Sequence, residues 1–105
     1  MIKKIERFQG DTYPIIYELS INDEPADLSD ATSIEFAYAK RGAEATVISG
    51  TIDADRPNFV IFEISEDDFS ELGDYNFDIQ VKYGDLSKRT FIKDKISILE
   101  GVNNG

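Results

Sequence analysis

The chain has 105 residues, enough for one domain around one core. It contains no cysteine and no histidine. Disulfide staples, thiolate chemistry and nucleophile mechanisms that rely on an imidazole base are therefore excluded. The net charge of −10, from 21 acidic and 11 basic residues, argues against nucleic acid as the main partner, because phosphate binding needs a concentrated positive surface.

Apolar residues make up 41% of the chain, and seven Phe and five Tyr supply bulky, strand-favouring core material. No apolar run approaches the roughly 20 residues of a membrane span. Met1-Ile2-Lys3-Lys4-Ile5-Glu6-Arg7 lacks the apolar stretch of a secretory signal. The expectation is a soluble protein made in the cytoplasm, with no membrane partner.

Short alternating runs separated by turn residues predict an all-β fold. The first strand is expected over Ile2–Phe8, closed by Gln9-Gly10-Asp11, where Gly10 supplies a positive φ. The next covers Thr12–Ile21, with Ile15, Tyr17, Leu19 and Ile21 on one face and Pro14 near its start. Asn22-Asp23-Glu24-Pro25 reads as a turn, Pro25 and Asp27 stiffening the loop to Asp30. In Thr32–Ala39, Ile34, Phe36 and Tyr38 point inward. Thr46–Asp53 is weakly patterned and reads as an edge, whereas Phe59–Ile64 alternates through Val60, Phe62 and Ile64.

Ser65-Glu66-Asp67-Asp68 resembles a helix N-cap, predicting one helical turn that ends near Leu72-Gly73. The clearest strand follows, with Tyr75, Phe77, Ile79, Val81 and Tyr83 on one face. Gly84-Asp85 turns into Lys88–Leu99, where Thr90, Ile92, Ile96 and Ile98 are in phase and Asp94 marks a bulge near Lys93–Lys95. Residues 1–99 form a single domain in this reading, and 100–105 a flexible tail. About seven strands predict an immunoglobulin-like, two-sheet antiparallel β-sandwich, a small barrel being the competitor. Gly73-Asp74-Tyr75 favours the sandwich, because a tyrosine so placed forms a corner whose hydroxyl bonds back to upstream backbone.

Nothing in the sequence specifies an enzyme, a cofactor or a metal. Asp23, Glu24, Asp27 and Asp30, and Glu66, Asp67, Asp68 and Asp74, are clustered carboxylates without the spacing of a calcium loop, and read as solvated turns. Tyr13 and Phe8 are the aromatics assigned to the surface. Charge is uneven: Glu63 to Asp78 holds seven acids and no base, while Lys82 to Lys95 holds five bases. Lys3, Lys4, Arg7, Lys88, Arg89, Lys93 and Lys95 are the candidate interface, a basic edge for an acidic partner.

Three stretches together resemble the N-terminal, immunoglobulin-like domain of phage baseplate upper proteins. They are Gln9-Gly10-Asp11-Thr12, Pro25-Ala26-Asp27-Leu28-Ser29-Asp30-Ala31 with Ile34-x-Phe36, and Gly73-Asp74-Tyr75-Asn76-Phe77-Asp78-Ile79-Gln80 before a basic last strand. The resemblance implies a non-enzymatic virion structural protein, a phage tail or baseplate scaffold. Its partners would be other structural proteins, a second copy of this chain among them. The alternative is a recognition module for carbohydrate or a cell-surface protein.

Overall fold

The computed structural model describes residues 4–100. Alternating apolar residues drive strand formation throughout, and no helix is present among the described residues. The strands are β1 (Lys4–Phe8), β2 (Ile15–Glu18), β3 (Ser20–Ile21), β4 (Glu24–Pro25), β5 (Ala31–Ala39), β6 (Thr46–Ile52), β7 (Phe59–Phe62), β8 (Gly73–Tyr83) and β9 (Lys88–Leu99). Seven of them form one curled sheet in the order β1-β9-β8-β5-β6-β7-β2, and β3 pairs with β4 as a separate small hairpin. The pairing is antiparallel except between β1 and β9, which run parallel.

The curl is made by β6. Its first part, Thr46–Ser49, pairs with β5, and its second part, Gly50–Ile52, pairs with β7. Gly50 stands at the switch, and a Cβ there would lie 2.4 Å from Cε1 of Phe62. Glycine is therefore required for the fully buried Phe62 ring to lie against the backbone where the strand changes neighbours. From there β7 and β2 lie over β5 and β8. The Phe36 ring stacks on Phe77 at 4.8 Å and meets Phe62 at 5.3 Å, and Tyr17 reaches Phe77 at 6.0 Å. Val60, Ile79, Val81 and Ile96, each 0% exposed, fill the space around these rings.

Four local expectations need correction. The strand placed at Thr12–Ile21 starts at Ile15 and is interrupted at Leu19, whose N–H bonds Asn58 O before the chain leaves for β3. Pro14, lacking an N–H, cannot carry the ladder further back. The turn placed over Asn22–Pro25 is only Asn22-Asp23, both at positive φ (51° and 66°), as a tight two-residue hairpin demands. The bulge falls at Phe91, the residue skipped between the pairs Ile79–Ile92 and Gln80–Thr90, not at Lys93–Lys95. Thr90 is consequently exposed, and Asp94 pairs with Phe77 on the inward row.

The fourth correction concerns Ser65–Leu72, which forms turns and no helix. Asp68, not Ser65, is the capping group: its Oδ2 accepts from Ser65 N (2.9 Å) and Ser65 Oγ (3.1 Å). Phe69 follows at φ 55°, a left-handed conformation that drives its ring into the core against Tyr38 (4.2 Å) and Tyr75 (5.3 Å). That backbone is compatible with a turn and not with a helix. Gly50→Ala is expected to lower stability by about 1–3 kcal/mol, the usual range for an overpacked core. Urea unfolding reads this as a lower midpoint at unchanged slope; a wild-type midpoint would mean that Phe62 does not hold the bend.

Candidate functional site

At the end of β5 the residues that point away from the core, Ala37 and Ala39, are small. Ala37 pairs with Asp78, which pairs with Lys93, and Ala39 pairs with Asn76, which pairs with Lys95. Directly paired residues project to the same side of a sheet. The two rows therefore make a shallow groove of about 460 Å³, floored by alanine and bounded on β9 by two exposed lysines. The wall is not uniformly basic, since Asp78 stands beside Lys93. Asp94, paired with Phe77, faces the other side of the sheet, where its Oδ1 accepts the Lys95 N–H at 2.8 Å. The Tyr17 hydroxyl is pushed above its usual pKa by burial and then by the Asp94 charge.

The seven basic residues of the candidate interface are dispersed. Lys93 and Lys95 share the groove wall. Lys88 is exposed at the far end of β9, opposite Lys82. Arg89 pairs with Val81 and so projects to the other side, with its guanidinium 5.6 Å from the Phe91 ring. Lys3 lies outside the described residues, and of Lys4 only the backbone, paired with Lys95, is described.

Arg7 is not an interface residue. It pairs with Ile98 on the inward row and is 2% exposed. Its Nη2 donates to Tyr13 O (2.7 Å) and Asp11 O (3.3 Å), and its guanidinium lies 3.9 Å from the centre of the Tyr13 ring. Desolvation lowers its pKa, with Tyr13 and Asp11 opposing the shift. Alternation in β1 carried this warning, because Ile5 and Arg7 share a face. Tyr13 and Phe8 are indeed exposed, at 53% and 52%, but one face of the Tyr13 ring is covered by Arg7.

The residues assigned structural roles sit at the ends of strands. Gly10 has φ 89° in the turn after β1, and Pro25 closes the β3–β4 hairpin opposite Ser20. Gly73 has φ 112°, closed to residues with a side chain, and starts β8. Two residues on, the Tyr75 hydroxyl donates to Glu71 O (2.9 Å) and accepts from Glu71 N (3.0 Å), the two bonds of a tyrosine corner. Lys40 completes this corner and was not singled out from the sequence. It donates to Leu72 O, lies 3.6 Å from Glu71 Oε2 and sits 5.5 Å from the Tyr75 ring centre. Its signal was the inward phase Ile34, Phe36, Tyr38, which places residue 40 on the same face.

Beside the corner, Tyr38 donates its hydroxyl to Asp68 Oδ1 at 2.7 Å, tying β5 to the turn that carries Phe69. Burial, reinforced by the bond to Asp68, raises the Tyr38 pKa to about 12. The acidic clusters hold turns together. Asp27 Oδ1 accepts from Ser29 N (3.0 Å) and Ser29 Oγ (2.7 Å), which lowers its pKa. Among the described residues no three metal-ligating side chains converge. No family model matches the chain, and no curated protein matches it either.

Tyr75→Phe is expected to cost about 1–3 kcal/mol, since it leaves Glu71 backbone groups without their buried partner. Chemical denaturation measures this, and unfolding indistinguishable from wild type would remove the corner from the structure's supports. A second expectation concerns alkali. The folded Tyr38 pKa is raised from 10.0 to about 12. Its contribution to stability is therefore complete below pH 10 and is lost as pH rises towards 12. Thermal melts of Tyr38→Phe and wild type should show a difference that shrinks across that window.

Proposed function

We propose that the curled sheet is an immunoglobulin-like sandwich serving as a non-enzymatic assembly module. In immunoglobulin lettering, β1, β9, β8, β5 and the first part of β6 take the places of A′, G, F, C and C′. The second part of β6, with β7 and β2, takes those of D, E and B. The tyrosine corner at the start of β8 supports that assignment. The observation that carries the docking role is the groove itself: small residues on the central strand with Lys93 and Lys95 standing free of the core beside them.

A surface built this way accepts a partner's chain closely while two ammonium groups choose an acidic one. The setting we propose is a phage or prophage tail or baseplate, as part of the virion. The stretches that carry the resemblance hold the fold's corners: the Gly10 turn, the buried Leu28 loop and the Gly73–Tyr75 corner. A carbohydrate-recognition role would have to use Tyr13, whose ring is already engaged by Arg7.

The test is affinity capture from a prophage-induced host lysate with tagged wild type and with a Lys93→Glu/Lys95→Glu variant. Tail proteins recovered in fixed ratio by the wild type, and lost by the variant, are expected. Raising salt from about 50 to about 500 mM should weaken the capture, as screening requires. Capture unchanged by the double substitution and by salt would reject the groove as the docking face.

A further inference from the structure

Among the described residues, four that are not glycine hold a positive φ: Asn22, Asp23, Phe69 and Leu86. Three of them have a local reason. Asparagine and aspartate tolerate the left-handed region, which suits the Asn22-Asp23 turn. Phe69 offsets its strain by burying its ring against Tyr38 and Tyr75. Leu86 has no such reason. It holds φ 71° and is 89% exposed, the most exposed large apolar side chain among the described residues.

The hairpin between β8 and β9 imposes this conformation. Leu86 N donates to Tyr83 O and Tyr83 N donates to Ser87 O, both at 2.9 Å, closing a three-residue loop over Gly84, Asp85 and Leu86. Such a loop is a type I turn followed by a left-handed residue, a position that glycine fills without steric cost. Asp85 Oδ1 fixes the turn by accepting from Ser87 N (3.0 Å) and Ser87 Oγ (2.6 Å). Gly84 N donates to Asp30 O (3.0 Å), which ties the tip to the loop before β5. The tip is a fixed mount, and it presents leucine where glycine or asparagine would suit the monomer better.

A second tension lies at the base of the same loop. Lys82 pairs directly with Lys88, so two exposed ammonium groups share one side of the hairpin. Like charges placed opposite one another weaken a strand pair. Neither lysine makes an ion pair among the described residues. Arg89, also exposed, follows on the other side. Two acids lie near, Asp85 bonded to Ser87 and Asp30 beside Gly84, so the bases remain in excess.

From these observations we infer that Leu86 is a knob that enters an apolar pocket, ringed by carboxylates, on a partner protein. Burial there takes the leucine out of water and offsets the strain at position 86. Carboxylates at the rim pair with Lys82 and Lys88 and so relieve their mutual repulsion. The net charge of −10 selects the kind of partner. An anionic bilayer or a second copy of this chain repels the molecule as a whole, and a neutral bilayer leaves the lysines unpaired. Acid confined to the rim of a pocket meets the tip without opposing the rest of the surface.

This contact is separate from the groove, and its test tells the two apart. A diazirine analogue of leucine at position 86 is irradiated in a prophage-induced host lysate, and the attached peptide is sequenced by mass spectrometry. An apolar segment of one protein, with Asp or Glu close to the point of attachment, is expected. Leu86→Asn should lower capture of that protein at least about tenfold, and Leu86→Met should retain it. The urea midpoint of Leu86→Asn should equal or exceed that of wild type, because asparagine accepts the left-handed backbone. Attachment to lipid, to a peptide without acids or to nothing would overturn the knob. So would unchanged capture by Leu86→Asn, or a lower midpoint in that variant. Capture lost only in Lys93→Glu/Lys95→Glu would keep the groove and reject the tip; capture lost only in Leu86→Asn would do the reverse.

Discussion

The fold depends on one close approach: the ring of Phe62 laid against the bare backbone of Gly50. A β-sheet with a single buried face must find something to cover it, and here one part of the sheet covers another. That requires a strand to leave one set of neighbours and join another within a few residues. A side chain at the switch would hold the strand away from the ring. Without it, Phe62 meets Phe36, Phe36 meets Phe77, and the apolar faces of β5 and β8 are sealed by β7 and β2. Removal of that aromatic surface from water is the main favourable term in a domain of this size.

The end of the molecule around residues 65–75 is secured differently, by polar groups that are each given a partner. Tyr75 holds Glu71, Asp68 holds Ser65 and Tyr38, and Lys40 holds Leu72 and Glu71. These bonds allow Phe69 to keep a left-handed backbone that a non-glycine residue adopts only at a cost. The same chain segment that looks like a solvated acidic run is thus the lid of the core. Its acids are spent on local geometry, which leaves Lys93 and Lys95, on the opposite side of β8 and β9 from that core, as the basic groups gathered at one groove.

Much of this was legible in the sequence wherever side chains alternate without interruption. Tyr75 to Tyr83, Val60 to Ile64 and Ile34 to Tyr38 lie inward as their period requires, and the tyrosine corner follows from Gly73 and Tyr75 together. What escaped was set by long-range pairing. The Phe91 bulge moves the phase of β9 after contact with β8, so Asp94, and not Thr90, joins the inward row. The double pairing of β6 cannot be seen in its weak pattern, because each part answers to a different neighbour. Arg7 was misjudged because its charge was weighed above its position, although a buried guanidinium is tolerable once carbonyls and an aromatic ring receive it. The groove was missed as a shape, since its alanines matter only through what stands on either side of them.

The parallel pairing of β1 with β9 also sets the order of events at the ribosome. Lys4 lies beside Lys95, so β1 has its ladder partner in a strand synthesised long after it. Contacts of such separation are slow to form and form late. Everything from β1 to β9 must emerge before the sheet acquires that edge, at translation speeds of about 5–20 residues per second. During those seconds the Arg7 guanidinium has no inward row to join and remains hydrated. Its desolvation is therefore a late step of folding, one that waits for β9.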